Sequence, residues 1–128
     1  MTRRELQVEM RMVGRPWEIG KSFDASGLIG ELKPASHIGH PRSGRIWVDV
    51  DGQRRQVSDI DQLLWNVAEC IAHLSRWFRL MPGDLVYTGT PAGVAAVEPG
   101  QEMTGGVDGV GELRVRVGAC APSDGRST

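Results

Sequence analysis

The stretch that decides the fold is RIWVDVDGQRRQV, residues 45–57. Ile46, Val48 and Val50 occupy every second position, which is the period of a half-buried β-strand. The dipeptide Asp51–Gly52 follows at once and is the strongest short-range signal for a tight hairpin turn, because both residue types tolerate positive φ. The sequence therefore predicts a β-hairpin here.

Further strands are predicted toward the C-terminal end. Apolar residues alternate with arginines over residues 113–117, after a second turn signal at Asp108–Gly109, and this pattern predicts a second hairpin. The segment Asp84–Thr90, DLVYTGT, follows a turn at Pro82–Gly83 and has the β-branched and aromatic content of a buried strand.

Two helices are predicted. Thr2–Val13 has apolar residues at i, i+4 and i+7 and ends at a glycine, as a short amphipathic helix does. A main helix is predicted to begin at a cap on Ser58, with Asp61 as a weaker capping-box acid, and to end near Arg79. Its apolar face would carry Ile60, Leu63, Leu64, Val67, Ile71 and Leu74. Residues 15–44 show no sustained period and are predicted to form a long ordered loop.

Composition limits the class of protein. The chain has 128 residues, a net charge of -1 and 40% hydrophobic residues, which fits one soluble domain. The balanced charge argues against nucleic-acid binding, and neither a bilayer-spanning segment nor a signal peptide is apparent, so no membrane partner is expected. Two cysteines, Cys70 and Cys120, make neither a disulfide framework nor a metal pair, which favours the reducing cytoplasm.

Two local signals near the N-terminus could bind an anion. Arg4 and Gln7 lie three apart on one helix face, where a guanidinium and an amide could hold a carboxylate or keto group; a solvated polar face is the alternative. Lys21 is one of only two lysines, and its ammonium suits stabilisation of an oxyanion or enolate; an ordinary surface lysine is the alternative. The surrounding GKS lacks the strand and upstream glycine of a phosphate loop.

A third signal is YTGTPAGV, residues 87–94, in which Gly89 and Thr90 could clamp a small anion with backbone amides and a hydroxyl. A plain tight turn is the alternative. His37 and His40 have a spacing possible for a metal pair, but no third ligand is evident nearby, so no metal site is assigned to them.

Four blocks of sequence carry a family resemblance. They are MTRRELQ at 1–7, GRPWEIGKSFD at 14–24, LMPGDLVYTGTPAGV at 80–94 and GVGELRVRV at 109–117. Their order and approximate spacing resemble those of the C-terminal catalytic domain of the fumarylacetoacetate hydrolase family. Within that family, RPWEIGKSFD is similar to the corresponding motif of bacterial fumarylpyruvate and acylpyruvate hydrolases. The resemblance implies an α+β, mainly β fold: a rolled mixed β-sheet with one main helix, over residues 1–118, with 119–128 as a disordered tail.

The resemblance also implies a chemistry, the metal-dependent hydrolysis of a carbon–carbon bond in a 1,3-diketo acid, in aromatic-compound catabolism. By motif position, Lys21 would be catalytic at the keto or enolate oxygen. Arg4 and Gln7 would orient the substrate, and Thr90 with the Gly89 turn would hold its carboxylate. The implied cofactor is Mg²⁺ or Mn²⁺, the implied partner is a small keto acid, and a homodimer is the family's habit.

One departure from the family pattern concerns the metal. The family holds it with two glutamates in an E-x-E arrangement and an aspartate immediately before the segment that here begins with Met1, and none of the three is present. We therefore expect the metal ligands upstream of Met1, and a chain that lacks the N-terminal part of the domain and is itself inactive. Two alternatives stay open: a non-catalytic β-rich interaction module on the same scaffold, and a keto-acid isomerase or decarboxylase of the same family.

Overall fold

The computed structural model describes residues 1–119 and divides into two compact units, Met1–Leu32 and Lys33–Thr128. Each unit is described by itself below. Residues 120–128, which include Cys120 and almost all of the predicted tail, lie outside the described residues.

The first unit is built on helix α1, Arg4–Met12, which confirms the helix predicted over 2–13. Gly14 follows the end of the helix and has a φ of +65°, which glycine readily adopts. The chain then makes a short 3-10 turn at Glu18–Gly20 and returns to the start of α1, where the backbone N–H of Arg3 donates to the carbonyl of Gly20 over 2.9 Å. The beginning of the predicted loop is thereby fastened to the helix.

The second unit is built on a four-stranded sheet that contains both predicted hairpins. The strands are β1 (Arg45–Val50), β2 (Gln53–Asp59), β3 (Glu102–Val107) and β4 (Gly111–Arg116). Their order is β2-β1-β3-β4, so the two hairpins meet through β1 and β3. The first turn has positive φ at Asp51 (+49°) and Gly52 (+76°), as a two-residue hairpin turn requires.

The α+β, mainly β class is confirmed by these elements. All three strand pairings in the described part of the chain are antiparallel, whereas the resemblance had implied a mixed sheet. A short helix α2, Ala35–Ile38, interrupts the otherwise irregular segment that precedes β1. The predicted long loop over 15–44 is therefore largely irregular, with two brief helical turns and no strand.

The main helix, α3, is shorter than predicted at both ends. It spans Val67–Leu74, so the prediction of a helix from Ser58 to near Arg79 is wrong in its bounds. Ser58 belongs to β2 and pairs with Ile46, because the hairpin runs on past the predicted cap. The actual cap is Asn66, whose side chain accepts from the N–H of Glu69 over 3.0 Å, while the Glu69 carboxylate accepts from the N–H of Asn66 over 2.8 Å. This is a complete capping box.

The strand predicted over Asp84–Thr90 is also wrong, although the turn before it is present at Pro82–Gly83. Residues 84–90 have no regular secondary structure, and Leu85, Val86 and Tyr87 are all exposed. Residue types that are common in strands are those whose side chains pack well on a pleated, half-buried surface. The described part of the chain supplies no neighbouring strand to this segment, so its composition alone does not make it one.

The carboxylate of Asp59 closes the end of β2. Its Oδ1 accepts from the N–H of Gly44 over 2.9 Å and from the N–H of Asp61 over 3.0 Å, which caps a 3-10 turn at Ile60–Gln62. The hydrogen bond from the Asp61 backbone, followed by that from Gly44, lowers the pKa of Asp59 from its ordinary value.

Burial of apolar side chains is sparse. Among the described residues, Val50, at the end of β1, is the one hydrophobic residue that is buried. In the segment that contains α3, Leu64 is 99% exposed and Trp77 is 72% exposed. No helix within residues 1–119 combines the length and apolar character needed to cross a bilayer.

Candidate active site

The predicted catalytic lysine lies in the first unit, directly after the 3-10 turn. The backbone N–H of Lys21 donates to the carbonyl of Glu18 over 2.7 Å, and its side-chain Nζ donates to Oγ1 of Thr2 over 2.8 Å. A lysine ammonium has three N–H donors, and Thr2 accepts from one. The other two remain able to stabilise negative charge on a ligand.

The predicted substrate-binding pair on α1 is brought together as its spacing predicted. Nη1 of Arg4 donates to Oε1 of Gln7 over 3.1 Å, and the pair is one helical turn apart. The hydrogen bond orients the Gln7 amide, and the NH₂ group of Gln7 and the remaining guanidinium N–H groups of Arg4 are donors that suit a carboxylate or a keto oxygen.

Lys21 and Arg4 extend from neighbouring stretches of backbone. Arg3 and Gly20, which precede Arg4 and Lys21 in the chain, are joined by a backbone hydrogen bond of 2.9 Å. Gly20 is buried, and a Cβ at this position would lie 3.2 Å from the Cβ of Gln7. The glycine allows the lysine loop to approach α1 closely, and two cations on adjacent backbone favour an anionic ligand.

The predicted carboxylate clamp lies in the second unit. Gly89 has φ of +102°, a conformation in which a side chain is strained. Oγ1 of Thr90 accepts a hydrogen bond of 2.9 Å from Nε2 of Gln56 on β2. Because its oxygen accepts there, the Thr90 hydroxyl hydrogen can donate to a ligand carboxylate.

Two polar residues next to the predicted site were not found by sequence reasoning. Thr2 contacts Lys21 across 19 positions, and Gln56 contacts Thr90 across 34 positions. No local spacing marks either residue, since each acts through a partner that is distant in the chain.

The residues present do not fit a resident metal ion. Within residues 1–119, no group of three or more His, Cys, Asp or Glu side chains could hold one. His37 and His40 accordingly have no third ligand among the described residues.

The fold is that of a known kind of hydrolase. A crystal structure of the fumarylpyruvate hydrolase of Pseudomonas aeruginosa, in complex with Mn²⁺ and pyruvate, superposes with a TM-score of 0.89 at 64% sequence identity. The match covers 92% of this chain and 51% of that one.

Sequence comparison identifies the family. Residues 1–118 match the profile of the fumarylacetoacetate hydrolase C-terminal domain, and the chain belongs to this family. It is 45% identical over 118 residues to a fumarylpyruvate hydrolase of a Ralstonia species, covering 92% of this chain and 61% of that protein. It is 36% identical over 117 residues to the mitochondrial oxaloacetate tautomerase of Rattus norvegicus, covering 91% of this chain and 53% of that protein. The chain thus spans about half to three fifths of these relatives' length.

Proposed function

We propose that this chain contributes the enolate- and carboxylate-binding groups of an acylpyruvate hydrolase, with fumarylpyruvate as the representative substrate. The observation that carries the proposal is the 64% identity to the Pseudomonas aeruginosa fumarylpyruvate hydrolase, whose complex contains pyruvate. Pyruvate is the product that such a cleavage releases from the keto-acid end of its substrate. The donor groups of Lys21, Arg4 and Gln7 support the proposal, because pyruvate and its enolate are both anions.

The reaction is hydrolysis of a bond between two carbons. Water adds to the distal carbonyl carbon of the 1,3-diketo acid, and the bond from that carbon to the pyruvyl CH₂ breaks. The electron pair of the broken bond passes into the keto group and forms the enolate of pyruvate. A proton then returns to carbon, so the products are a carboxylic acid and pyruvate. Negative charge grows on one oxygen during bond cleavage, and a fixed donor is most effective there.

Lys21 is proposed to act at this oxygen. Its ammonium is anchored through the hydrogen bond to Thr2, so part of the entropy of a flexible lysine is already lost before substrate binds. A positive charge near the enolate oxygen interacts more strongly with the transition state than with the neutral ketone. This difference accelerates the reaction rather than merely tightening binding.

The remaining groups are proposed to hold the substrate. Arg4 and Gln7 present donors to the carboxylate or keto oxygen, and the Thr90 hydroxyl with the Gly89 turn contributes a further anion contact. Such contacts act on substrate and transition state alike, so they chiefly determine substrate affinity.

A divalent metal is part of the proposed chemistry of the whole protein, since the Pseudomonas aeruginosa relative contains Mn²⁺. Its ligands are proposed to lie outside residues 1–119. The choice between Mg²⁺ and Mn²⁺, the homodimer, the cytoplasmic location and the role in aromatic catabolism stay predictions.

A second candidate is keto-acid tautomerisation. The relative from Rattus norvegicus is an oxaloacetate tautomerase, and interconversion of a keto acid with its enol also places charge on the same kind of oxygen. The donors near Lys21 would serve both reactions.

Enzyme assays separate these candidates. The 128-residue chain, and the chain extended by whatever coding sequence lies in frame upstream of Met1, are assayed with Mn²⁺ on fumarylpyruvate and on oxaloacetate. Pyruvate release from fumarylpyruvate by the extended form supports the hydrolase. Tautomerisation of oxaloacetate without pyruvate release supports the second candidate, and inactivity of both forms on both compounds contradicts the enzymatic proposal.

A further inference from the structure

We infer that Gln56, on β2, is a positioning residue that holds the loop Gly89–Gly93 in the shape that binds a ligand carboxylate. The inference rests on the proposed function of Thr90 and adds to it the residue that orients the Thr90 hydroxyl. Gln56 and the loop both lie in the second unit of the chain.

The side-chain amide of Gln56 contacts three consecutive residues of this loop. Its Nε2 donates to Oγ1 of Thr90 over 2.9 Å, to the carbonyl oxygen of Pro91 over 2.7 Å and to that of Ala92 over 3.3 Å. An amide NH₂ has two hydrogens, so two of these three acceptors share one of them. One half-buried side chain thereby fixes a stretch of backbone that belongs to no helix or strand.

A β-bulge directs Gln56 toward the loop. Gln56 pairs with Val48 and Arg54 pairs with Asp49, so Arg55 is an extra residue with no partner opposite it on β1. A bulge of this kind bends its strand and re-aims the side chains beside it, and bulges are over-represented next to active sites.

The loop approaches the same bulge at a second point. A Cβ placed on Gly93 would lie 2.5 Å from the carbonyl oxygen of Arg55, a distance that side chains do not tolerate. Gly93 also has φ of +95°, which independently disfavours a side chain. The loop is therefore attached to β2 by the Gln56 amide, and the lack of a side chain at Gly93 allows its backbone to lie close to that of β2.

The direction of the hydrogen bond to Thr90 matters for a ligand. Because the Gln56 amide donates, the Thr90 oxygen is the acceptor and its hydrogen is free to donate to a carboxylate. A glutamate in place of Gln56 would instead accept from the Thr90 hydroxyl and would face two carbonyl oxygens without a donor. The glutamate side chain has nearly the same shape as glutamine, but it would no longer orient the Thr90 hydroxyl hydrogen toward a ligand.

The test compares three substitutions in the full 128-residue chain. Gln56→Glu reverses the hydrogen bonding, Gln56→Met removes it at similar volume, and Gln53→Glu makes the same chemical change at an exposed position of the same strand. Two quantities are measured: hydrogen exchange of the backbone amides of residues 89, 90, 92 and 93, and the Kd of pyruvate by NMR titration. The exchange measurement needs no activity and no metal.

We expect both Gln56 variants to exchange these amides about tenfold faster, which corresponds to the loss of roughly one net hydrogen bond. Pyruvate should bind about tenfold more weakly, with Gln56→Glu the weaker binder, because one lost charge-assisted contact is of this size. Gln53→Glu should change neither quantity.

Unchanged exchange in both Gln56 variants would overturn the inference that this side chain holds the loop. Faster exchange with an unchanged pyruvate Kd would overturn its role in positioning a ligand group. If the unsubstituted chain binds no pyruvate, the proposed function of Thr90 fails, and the exchange result still decides whether Gln56 anchors the loop.

Discussion

Nζ of Lys21 and Oγ1 of Thr2 lie 2.8 Å apart, in a hydrogen bond that joins the lysine loop to the residue two positions before α1. The bond gives this exposed lysine a defined partner, and its catalytic role stays a prediction. The backbone beside it is held as well, because the N–H of Arg3 donates to the carbonyl of Gly20.

Substitution of Lys21 tests the proposed enolate contact. In the active protein, Lys21→Ala should lower kcat for fumarylpyruvate about 100-fold or more, the size of losing one oxyanion donor, and should change KM far less. Steady-state kinetics provides the measurement. Lys33→Ala removes the chain's other lysine and should leave both constants unchanged. Unchanged turnover in Lys21→Ala would remove this residue from the mechanism.

Arg4 is expected to contribute to substrate affinity instead. Arg4→Ala should raise the Kd of pyruvate by about tenfold or more, because a hydrogen bond to a charged group contributes a net stabilisation of about 1.5–3 kcal/mol. Arg11→Ala is the control, since Arg11 lies on the same helix about 10.5 Å farther along its axis. Equal effects of the two substitutions would indicate a general loss of positive charge rather than a specific contact.

Metal binding by the 128-residue chain should be weak. Hard divalent cations require several oxygen ligands, and residues 1–119 contain no suitable group of three acidic or histidine side chains. Calorimetric titration with Mn²⁺ should therefore give no saturable binding below the millimolar range. A sub-millimolar Kd would mean that this chain carries ligands of its own, and His37→Ala would then show whether the histidine pair is among them.

The two hairpins were predictable because their signals are local. Asp51–Gly52 and Asp108–Gly109 each combine a turn residue with glycine, and the flanking alternation sets the strands. The bounds of α3 were not predictable in the same way, because Ser58 and Asn66 are both plausible caps. In the structure Ser58 is part of β2 and pairs with Ile46 on β1, and this pairing is not visible in the local sequence.

The candidate site likewise has one part that local sequence predicts and another that depends on contacts distant in the chain. The placement of Arg4 and Gln7 on one helix face follows from helical spacing and was predicted, and the contact between them agrees with it. Lys21 and Thr90 were singled out by residue type and given their roles by the family resemblance. The substrate-binding and catalytic roles of these residues stay predictions. The bulge at Arg55 could not be foreseen, because one unpaired residue leaves no trace in the alternation of RRQV, and the Gln56 contact depends on it.

The capping box of α3 can be tested against the cap that was wrongly predicted. Asn66→Ala should lower the free energy of unfolding by about 1 kcal/mol, because it leaves helix N–H groups without an acceptor. Ser58→Ala should change it much less, since Ser58 caps no helix in the structure. Urea unfolding of the two variants gives the comparison. A larger loss in Ser58→Ala would favour the longer helix.

Because of Asp59, the stability of the folded chain should decrease as the pH falls into the acid range. Two backbone N–H groups, those of Asp61 and Gly44, favour the charged carboxylate and lower the pKa of Asp59 below its ordinary value of 3.8. The stabilisation is therefore fully present above the ordinary value and is lost as pH falls through the lower pKa of the folded state.

Asp59→Asn keeps the shape and an acceptor oxygen but cannot ionise. Its Tm should lie below that of the unsubstituted chain at about pH 7, and the gap should narrow as the pH falls through the lowered pKa of Asp59, where its carboxyl group also becomes neutral. Asp24→Asn, at an exposed aspartate, should show no comparable gap over the same pH range. A gap for Asp59→Asn that is equally large in acid would mean that the carboxylate's charge contributes nothing to the turn that it caps.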